Sequence, residues 1–277
     1  MGTNRIEIVC GIDRKFIIPC GVMICSLIKT NKRSVFSFHI VHDLEGSLPE
    51  FVYLLKYIKE NGHKYNLCSV DASRLQGLPL SNHASVANYF RLLFSEILPD
   101  TLQKVIYLDS DLVFLGAIDP LWEVDVSNYS VAAVEQQDYN HSYLGLASSS
   151  AYFNSGVMLI NLADWRVNQV SHKAFEFIGQ NKSKIKYWDQ DVFNVLFEGK
   201  WLKIDRIWNH LDSEDLGESK VVHFAGKHKP WNAHCAHRYK LLYFKYLRLY
   251  LSPYSYLKYI SKHFGFKFLI KHLVKGR

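Results

Sequence analysis

Strand-like and helix-like segments alternate along the first 70 residues, and this alternation constrains the fold more than any single motif. Residues 35–42 place Phe36, Phe38 and Ile40 on one side, as a strand does, and residues 49–61 have the apolar spacing of a helix. Strands separated by helical crossovers are typical of parallel sheets, so an α/β fold is expected. The predicted elements of this region are strands at 6–11, 35–42 and 65–70 and helices at 19–28 and 49–61.

The middle of the chain continues in the same manner. Residues 81–98 have the spacing of a helix with one buried face, and a second long helix is predicted at 165–181. A further helix is expected to begin near Tyr187, after a stretch that carries two acids and an amide. Apolar strands are predicted before Asp109, at 129–134, within 152–162 and at 221–223.

Asp109 and Asp111 stand one residue apart between two apolar runs, 105–108 and 112–114. Strands of open α/β sheets present ligand-binding groups at their carboxyl ends, where both acids are expected to lie. Two carboxylates in an apolar setting repel each other and lose hydration, so a divalent cation such as Mg²⁺ or Mn²⁺ is expected between them. Alternatively, the triplet is a chance occurrence, because the chain has 15 Asp residues and repeats the pattern at Asp189 and Asp191.

Three other polar positions have both a functional and a structural interpretation. Arg91 lies among apolar neighbours, yet it could be a solvated position of a helix. Asp189 and Asp191 precede an apolar helical stretch, where acids often only complement the helix dipole. His223 ends an apolar strand ahead of Gly226 and Lys229; this group could bind a metal and a phosphate, or His223 could be a structural residue at the end of a strand.

Composition and cysteine usage favour a globular protein of the cytosol. The chain has 277 residues, of which 48% are hydrophobic, and its longest apolar stretch, 16–28, is too short for a membrane span and contains Pro19. The first residues lack the pattern of a signal peptide. The five cysteines form no Cys-x-x-Cys pair, so reduced core residues are expected rather than a zinc or redox site.

The basic charge is concentrated at the end of the chain. Residues 220–277 contain 13 of the 33 Lys and Arg residues and none of the 26 Asp and Glu residues. Residues 239–251 and 254–274 mix these cations with aromatic and leucine residues, which suits a helix lying on an anionic membrane surface. The alternative is a helix packed on the preceding part of the chain with solvated lysines. Nucleic acid is not expected as a partner, because the sequence contains no recognisable nucleic-acid-binding module.

Four motifs together resemble glycosyltransferase family 8, and more closely its bacterial branch that adds glucose or galactose to the lipopolysaccharide core or to lipooligosaccharide. The resemblance covers residues 6–231. It predicts a catalytic domain at 1–232 and a basic, helical C-terminal region at 233–277. The motifs are Tyr107-Leu108-Asp109-Ser110-Asp111, Phe153-Asn154-Ser155-Gly156-Val157 with Leu159-Ile160-Asn161-Leu162, Asp189-Gln190-Asp191, and His223-Phe224-Ala225-Gly226 with Lys229-Pro230-Trp231.

The family resemblance implies a GT-A type nucleotide-sugar-binding fold with a mixed, mostly parallel central sheet. It also implies a UDP-hexose donor, UDP-glucose or UDP-galactose, and retention at the anomeric carbon. Asp109, Asp111 and His223 correspond to the metal ligands of the family. An imidazole beside two carboxylates suits Mn²⁺ better than Mg²⁺, so Mn²⁺ is the expected ion.

The resemblance also assigns the nucleotide and sugar contacts. Lys15 departs from the family pattern. Asp189 and Gln190 are the expected catalytic residues, and His83 and Glu135 are expected near the acceptor. The expected nucleotide contacts are Gly11, Asp13, Phe16, Ser110, Gly226 and Lys229. The expected donor-sugar contacts are Arg91, Asp109, Asn154, Asp189 and Gln190.

Retention leaves two mechanisms open, double displacement through a carboxylate or same-face attack by the acceptor. Asp189 is the only nominated nucleophile, and Gln190 would merely shield the developing cation, so same-face attack is favoured. The expected function is hexose transfer to a lipid-linked oligosaccharide at the inner face of the cytoplasmic membrane. The alternatives are hexose transfer to another acceptor such as a glycoprotein, a nucleotide-sugar-binding protein of the same fold without transfer activity, and a basic adaptor for membranes or nucleic acid.

Overall fold

A seven-stranded sheet forms the centre of the molecule, seen here in a computed structural model that describes residues 5–79, 85–137, 139–147, 149–211, 215–232 and 234–264. The strand order is β3-β2-β1-β4-β7-β6-β8, and β5 and β9 form a separate pair. Within the described part of the seven-stranded sheet, only β7 runs antiparallel to its neighbours, so the predicted mixed, mostly parallel sheet is confirmed. The strands are β1 Arg5–Ile12, β2 Val35–His42, β3 Lys64–Ser69, β4 Lys104–Leu108, β5 Leu112–Phe114, β6 Val131–Glu135, β7 Phe153–Asn161, β8 Trp201–Ile204 and β9 Val221–His223.

Helices cover both faces of the sheet. Along β4, the side chains of Ile106 and Leu108 join the core beneath one helical layer, and those of Val105 and Tyr107 join the core beneath the other. Burial on both faces explains why residues 105–108 of β4 are a continuous apolar run. The helices are α1 Ile17–Thr30, α2 Pro49–Glu60, α3 Phe94–Ile97, α4 Asp119–Trp122, α5 Leu162–Val167, α6 Val170–Asn181, α7 Trp188–Leu196, α8 Lys240–Tyr250 and α9 Pro253–Phe264.

The helix predicted at 81–98 is mostly a different element. Residues Val86–Leu93 form a 3-10 helix and only α3 is α-helical, while residues 81–84 lie outside the described part of the chain. Ser85 begins the 3-10 helix by accepting a hydrogen bond from the backbone N–H of Ala87, and its hydroxyl donates to Asp13 at 2.5 Å. Ala87 and residues 89–93 are buried and no residue of the segment is fully exposed, so tertiary packing determines that it forms a 3-10 helix.

The prediction of a single helix at 165–181 is also wrong, because a residue with a left-handed backbone conformation divides the segment into two helices. Gln169 has a φ of +51°, which ends α5 and begins α6. The side chain of Asn161 caps α5 by accepting from the N–H of Asp164 at 3.0 Å, so this helix starts three residues before Trp165. The indole of Trp165 donates to the carbonyl of Ser130 at 2.9 Å, which fixes α5 against the sheet.

Several strand ends meet at one edge of the sheet. The carboxyl ends of β1, β4 and β6 lie there, together with the amino end of the antiparallel strand β7. Leu108 pairs with Val157, and Glu135 pairs with Phe153. The β5–β9 pair places His223 opposite Leu112 and so brings a distant part of the chain to the same edge.

Helix α8 packs against α1 at an unusually close approach. A Cβ atom on Gly21 would lie 2.2 Å from Cζ of Tyr250, and the hydroxyl of Tyr53 donates to the carbonyl of Tyr250 at 2.6 Å. The inner face of α8 therefore shares a core with the sheet, as one of the two interpretations of the tail expected. Among the described residues, no helix combines the length and apolar character needed to cross a bilayer.

Candidate active site

Asp109, Asp111 and His223 come together at this edge of the sheet. Each offers one ligand atom, and these atoms lie within 4.8 Å of one another. His223 Nε2 is 3.6 Å from Asp109 Oδ2 and 3.3 Å from Asp111 Oδ1. Asp111 and His223 are buried and Asp109 is half-buried, so solvent reaches the group on the side of Asp109.

The backbone register builds this group. The N–H of Asp109 donates to the carbonyl of Gly156 at 2.8 Å, and the N–H of Phe224 donates to the carbonyl of Asp111 at 3.0 Å. Gly156 is required by the space available: a Cβ there would lie 2.3 Å from Cε1 of His223 and 2.9 Å from Oδ2 of Asp109. The imidazole and the carboxylate occupy the volume that any other residue at 156 would need.

Two backbone N–H groups determine the orientation of the buried side-chain amides beside His223. Because a backbone N–H can only donate, the bond from Gly156 N at 3.0 Å identifies the accepting atom of Asn154 as its oxygen. The bond from Ser155 N at 3.1 Å identifies the accepting atom of Gln190 as oxygen in the same way. Asn154 Nδ2 consequently donates to Gln190 Oε1 at 3.0 Å.

Asn209 links the oriented amide of Asn154 to the imidazole of His223. Its Nδ2 donates to Asn154 Oδ1 at 2.8 Å, so its Oδ1 is the atom 2.9 Å from His223 Nδ1. His223 Nδ1 must therefore carry a proton, and Nε2 is the nitrogen turned towards the two carboxylates. A neutral imidazole in this tautomer, facing two acids, is a donor set that fits a divalent cation.

Lys229 provides positive charge on the other side of Asp111. Its ammonium group pairs with Asp111 Oδ2 and donates to the carbonyl of Phe224 at 3.0 Å. Burial alone would raise the pKa of Asp111, but Lys229 and His223 outweigh it and hold that pKa below its usual value. Asp111 is therefore an ionised carboxylate around neutral pH.

Arg91 is a buried cation at the centre of the pocket rather than a solvated helix residue. It is 4% exposed, and its guanidinium lies over the ring of Tyr107 at 4.0 Å from the centroid. Its Nη2 donates to Asp109 Oδ1 at 2.8 Å, and its Nη1 lies 3.2 Å from Asp189 Oδ2. Burial opposes ionisation of the guanidinium, yet Asp189, Tyr107 and Asp109 raise the pKa of Arg91.

Asp189 and Gln190 lie at the start of α7 and face the same pocket. Burial raises the pKa of Asp189 to about 6, although Arg91 opposes this shift. Ser155 Oγ donates to Asp189 Oδ2 at 3.1 Å. Asp189 therefore forms a buried ion pair with Arg91 in addition to any contact with the helix dipole. Trp188, which precedes it, has a φ of +47°, an unfavourable conformation for an aromatic residue and one often found at functional sites.

Asp191 is the residue that holds this strained turn. Its Oδ2 accepts from the backbone N–H groups of Lys186 and Tyr187 at 2.7 and 2.8 Å. Its Oδ1 accepts from the hydroxyls of Tyr143 and Tyr152 at 2.9 and 2.6 Å. The fully buried carboxylate thus has four donors and fixes the direction in which α7 presents its first turn.

Of the residues expected at the nucleotide, Asp13 lines an open cleft, together with Arg14 and Lys15. Asp13 Oδ1 accepts from the N–H groups of Lys15 and Phe16 at 2.7 and 3.1 Å, and the cleft of about 460 Å³ lies beside this turn. The ring of Phe16 contacts that of Trp231 edge to face at 5.8 Å. Ser110 Oγ is buried without a hydrogen-bond partner in the described part of the chain, as expected of a group that a ligand would satisfy. Gly11 is the second-last residue of β1, two positions before Asp13, and Gly226 has a φ of +77°.

The two residues expected at the acceptor differ in what can be described. The carboxylate of Glu135 forms an ion pair with Lys203 of β8, while the neighbouring Gln136 Oε1 accepts from Gln190 Nε2 at 3.4 Å. His83 lies outside the described residues, so its assignment stays a prediction.

Sequence reasoning assigned no role to several residues that shape the pocket, namely Tyr107, Ser155, Gly156, Asp191 and Asn209. The first four lie inside recognised motifs, so their position was a usable signal. Asn209 belongs to no motif, and nothing in its local sequence indicates that it contacts His223.

Comparison with known proteins places this geometry in a family. The family model described as glycosyl transferase family 8 matches residues 7–235. A lipopolysaccharide glucosyltransferase WaaO of Escherichia coli is 32% identical over 248 residues, covering 82% of this chain and 73% of the relative. A lipopolysaccharide 1,3-galactosyltransferase of Salmonella typhimurium is 28% identical over 250 residues, covering 83% of this chain and 74% of the relative.

Solved structures agree in fold. The galactosyltransferase LgtC, crystallised with donor and acceptor sugar analogues, superposes with a TM-score of 0.82 at 23% identity, covering 92% of this chain and 100% of that protein. The fold is therefore of the GT-A type, as expected. The strand edge, the Asp109–Asp111–His223 group and the extent of the family match lead to one conclusion: this chain belongs to glycosyltransferase family 8.

Proposed function

We propose that the protein transfers glucose or galactose from a UDP-hexose to an oligosaccharide acceptor of the lipopolysaccharide type, with retention at the anomeric carbon and with Mn²⁺ as cofactor. The observation that carries the proposal is the orientation of His223, whose Nε2 faces both Asp109 and Asp111. The names of the relatives, which include a lipopolysaccharide galactosyltransferase and a glucosyltransferase, support the donor and acceptor classes.

The charges of the pocket suit departure of a diphosphate. Asp109, Asp111 and His223 would hold the cation, and a mixed set of oxygen and nitrogen ligands favours Mn²⁺ over Mg²⁺. When bound, the cation neutralises negative charge that develops on the leaving group. Lys229 adds an ammonium group beside the same site, and a preorganised contact of this kind contributes about 3 kcal/mol to the lowering of a reaction barrier.

Arg91, Asp189, Gln190 and Asn154 form the wall expected to hold the hexose. The Oδ2 atom of Asp189 is already engaged by Arg91 and Ser155, so this carboxylate is better suited to binding sugar hydroxyls than to nucleophilic attack. We therefore favour same-face attack. The acceptor oxygen bonds to the anomeric carbon as the carbon–oxygen bond to UDP breaks, and the acceptor proton passes to the departing diphosphate.

A panel of donors tests the proposal. We expect UDP-glucose or UDP-galactose to be hydrolysed slowly by water in the presence of Mn²⁺, with Mg²⁺ less effective, and EDTA to abolish the release of UDP. GDP-mannose serves as a negative control. NMR of the product formed with an oligosaccharide acceptor should detect the α-anomer, as in the donor. UDP-hexose binding without UDP release would instead indicate a nucleotide-sugar-binding protein, and full activity in EDTA would contradict the metal site.

The outward face of α8 supports a peripheral position on an anionic membrane. Leu241, Lys245, Arg248 and Leu249 follow one another at helical spacing, and the two leucines are 62% and 51% exposed. Tyr254 of α9 is 76% exposed nearby in sequence. Apolar side chains interspersed with cations are typical of helices that lie in the membrane interface. We propose that this face holds the enzyme at the cytoplasmic side of the membrane, close to a lipid-linked acceptor.

Vesicle binding tests the role of this face. Each cation near an anionic bilayer contributes about 1 kcal/mol, so neutralising Lys245 and Arg248 with Gln should weaken binding to phosphatidylglycerol vesicles about 30-fold. The matched control carries Lys173→Gln and Lys184→Gln. These exposed lysines lie in α6 and just after it, on the opposite side of the sheet. Equal binding of both double variants, or equal binding to neutral vesicles, would contradict the proposal.

A further inference from the structure

Among the residues that the structure describes, only Asn209 contacts both an expected cation ligand and the expected hexose wall through a side-chain amide. It follows the 3-10 helix Arg206–Trp208 and is 2% exposed. Its oxygen faces His223 Nδ1 at 2.9 Å, and its nitrogen donates to Asn154 Oδ1 at 2.8 Å. A single primary amide thus joins a group on β9 to a group on β7.

The two ends of this amide have different requirements. His223 needs an acceptor at Nδ1, because this bond keeps the proton of the neutral ring on Nδ1 and leaves the Nε2 lone pair directed towards Asp109 and Asp111. Asn154 needs a donor at Oδ1, because this bond and the one from Gly156 N keep its Nδ2 turned towards Gln190. A carboxylate in place of the amide would satisfy the first requirement and fail the second. An aliphatic side chain would fail both.

We propose that Asn209 is a positioning residue that couples the cation site to the hexose pocket. This inference rests on the proposed function, since it assigns the cation and the hexose to the two ends of the amide. Asn209 joins His223, Asn154 and Gln190 in one hydrogen-bonded chain. The tautomer of His223 is therefore linked to the orientation of the Asn154 and Gln190 side chains. Because coupling between binding sites is reciprocal, Mn²⁺ strengthens the binding of UDP-hexose, and the sugar strengthens the binding of Mn²⁺.

Two substitutions of similar volume separate the two ends. Asn209→Asp retains an acceptor towards His223 and removes the donor to Asn154. We expect its Mn²⁺ dissociation constant, measured by electron paramagnetic resonance without nucleotide, to stay within threefold of the wild-type value, while kcat for UDP-hexose falls at least tenfold. Asn209→Leu removes both bonds, and its Mn²⁺ affinity should fall 10- to 100-fold, the usual effect of removing a hydrogen-bond partner of a metal-binding histidine.

A merely structural role for Asn209 would not give this difference. General loosening of the fold would weaken Mn²⁺ binding in both variants together, and an unimportant residue would change neither quantity; either result overturns the proposal. Thermal unfolding shows whether each variant is folded. If Asn209→Leu does not fold, Asn209→Asp alone still tests whether kcat falls while Mn²⁺ affinity is retained. Asn181→Asp, at the end of α6, serves as a control that should leave both quantities unchanged.

The wild-type protein distinguishes the failure of this inference from the failure of the proposed function. If wild-type protein binds Mn²⁺ and cleaves UDP-hexose but Asn209→Asp shows the same mutual enhancement of Mn²⁺ and UDP-hexose binding as the wild type, Asn209 does not couple the sites and only this inference falls. If wild-type protein neither binds Mn²⁺ nor cleaves any UDP-hexose, the proposed function falls and this inference with it.

Discussion

Asp111→Asn is expected to reduce kcat/KM for UDP-hexose by about 10³-fold, on the order of 4 kcal/mol of barrier. The substitution keeps the shape of the side chain but removes the charge that His223 and Lys229 face. A neutral amide is a weak ligand for Mn²⁺, so metal affinity should fall as well. Rates of UDP release and Mn²⁺ binding by electron paramagnetic resonance measure the two effects.

The same variant should remain folded. The amide oxygen that the substitution introduces can still accept from Lys229, and the lysine side chain is 20% exposed and can reach water, so no buried charge is left without compensation. Asp125→Asn is the matched control, because Asp125 is an exposed acid at the opposite edge, near the start of β4. Wild-type activity in Asp111→Asn would show that the cluster does not hold a catalytic cation.

The sequence identified the acids of this cluster because each follows or precedes an apolar run. A buried strand has few polar positions, and those at its end are displayed at the edge of the sheet where other strands also end. The local sequence pattern was therefore enough to predict Asp109, Asp111 and His223 one by one as candidate metal ligands. Their assembly depends on the β5–β9 pairing, a contact between distant segments that only the family resemblance indicated.

Asn209 illustrates what local pattern cannot reveal. It lies 14 positions from His223 and 55 positions from Asn154, and its neighbours have no periodicity that would place it in a pocket. Its importance comes from the polarity of one amide, which is apparent only when donors and acceptors are followed outward from backbone N–H groups. Asp191 is similar: an acid at a helix start is usually a dipole partner, but this one accepts four hydrogen bonds that hold the turn at Trp188.

The wrong helix predictions have a related cause. Apolar spacing at 81–98 indicated which residues are buried, and residues such as Phe90 and Leu93 are indeed buried. The spacing could not indicate whether the segment is an α-helix or a 3-10 helix, because the backbone conformation of a segment buried on nearly every side depends on its packing. Arg91 depends on that geometry: the 3-10 segment places its guanidinium between Asp109 and Asp189.

Gly156→Ala is expected to reduce UDP-hexose cleavage by about 10²-fold although it adds only a methyl group. The added Cβ would lie 2.3 Å from His223 Cε1, so the imidazole must move by about 1 Å or more, and a displacement of this size at a reacting site costs about two orders of magnitude. Overpacking in the buried strand β7 should also lower the free energy of unfolding by about 1–3 kcal/mol. Thermal unfolding and Mn²⁺ binding distinguish the two effects.

Gly179→Ala provides the control, because it adds the same methyl group where nothing lies within 4 Å. Gly179 is in α6, where alanine is the better helix former, so this variant should be more stable by about 0.5–1 kcal/mol with unchanged activity. If Gly156→Ala lost stability but kept wild-type Mn²⁺ affinity, the glycine would serve the sheet and not the site. Loss of Mn²⁺ affinity in a variant that remains folded would instead mean that β7 has a glycine at this position because the imidazole and the Asp109 carboxylate need its space.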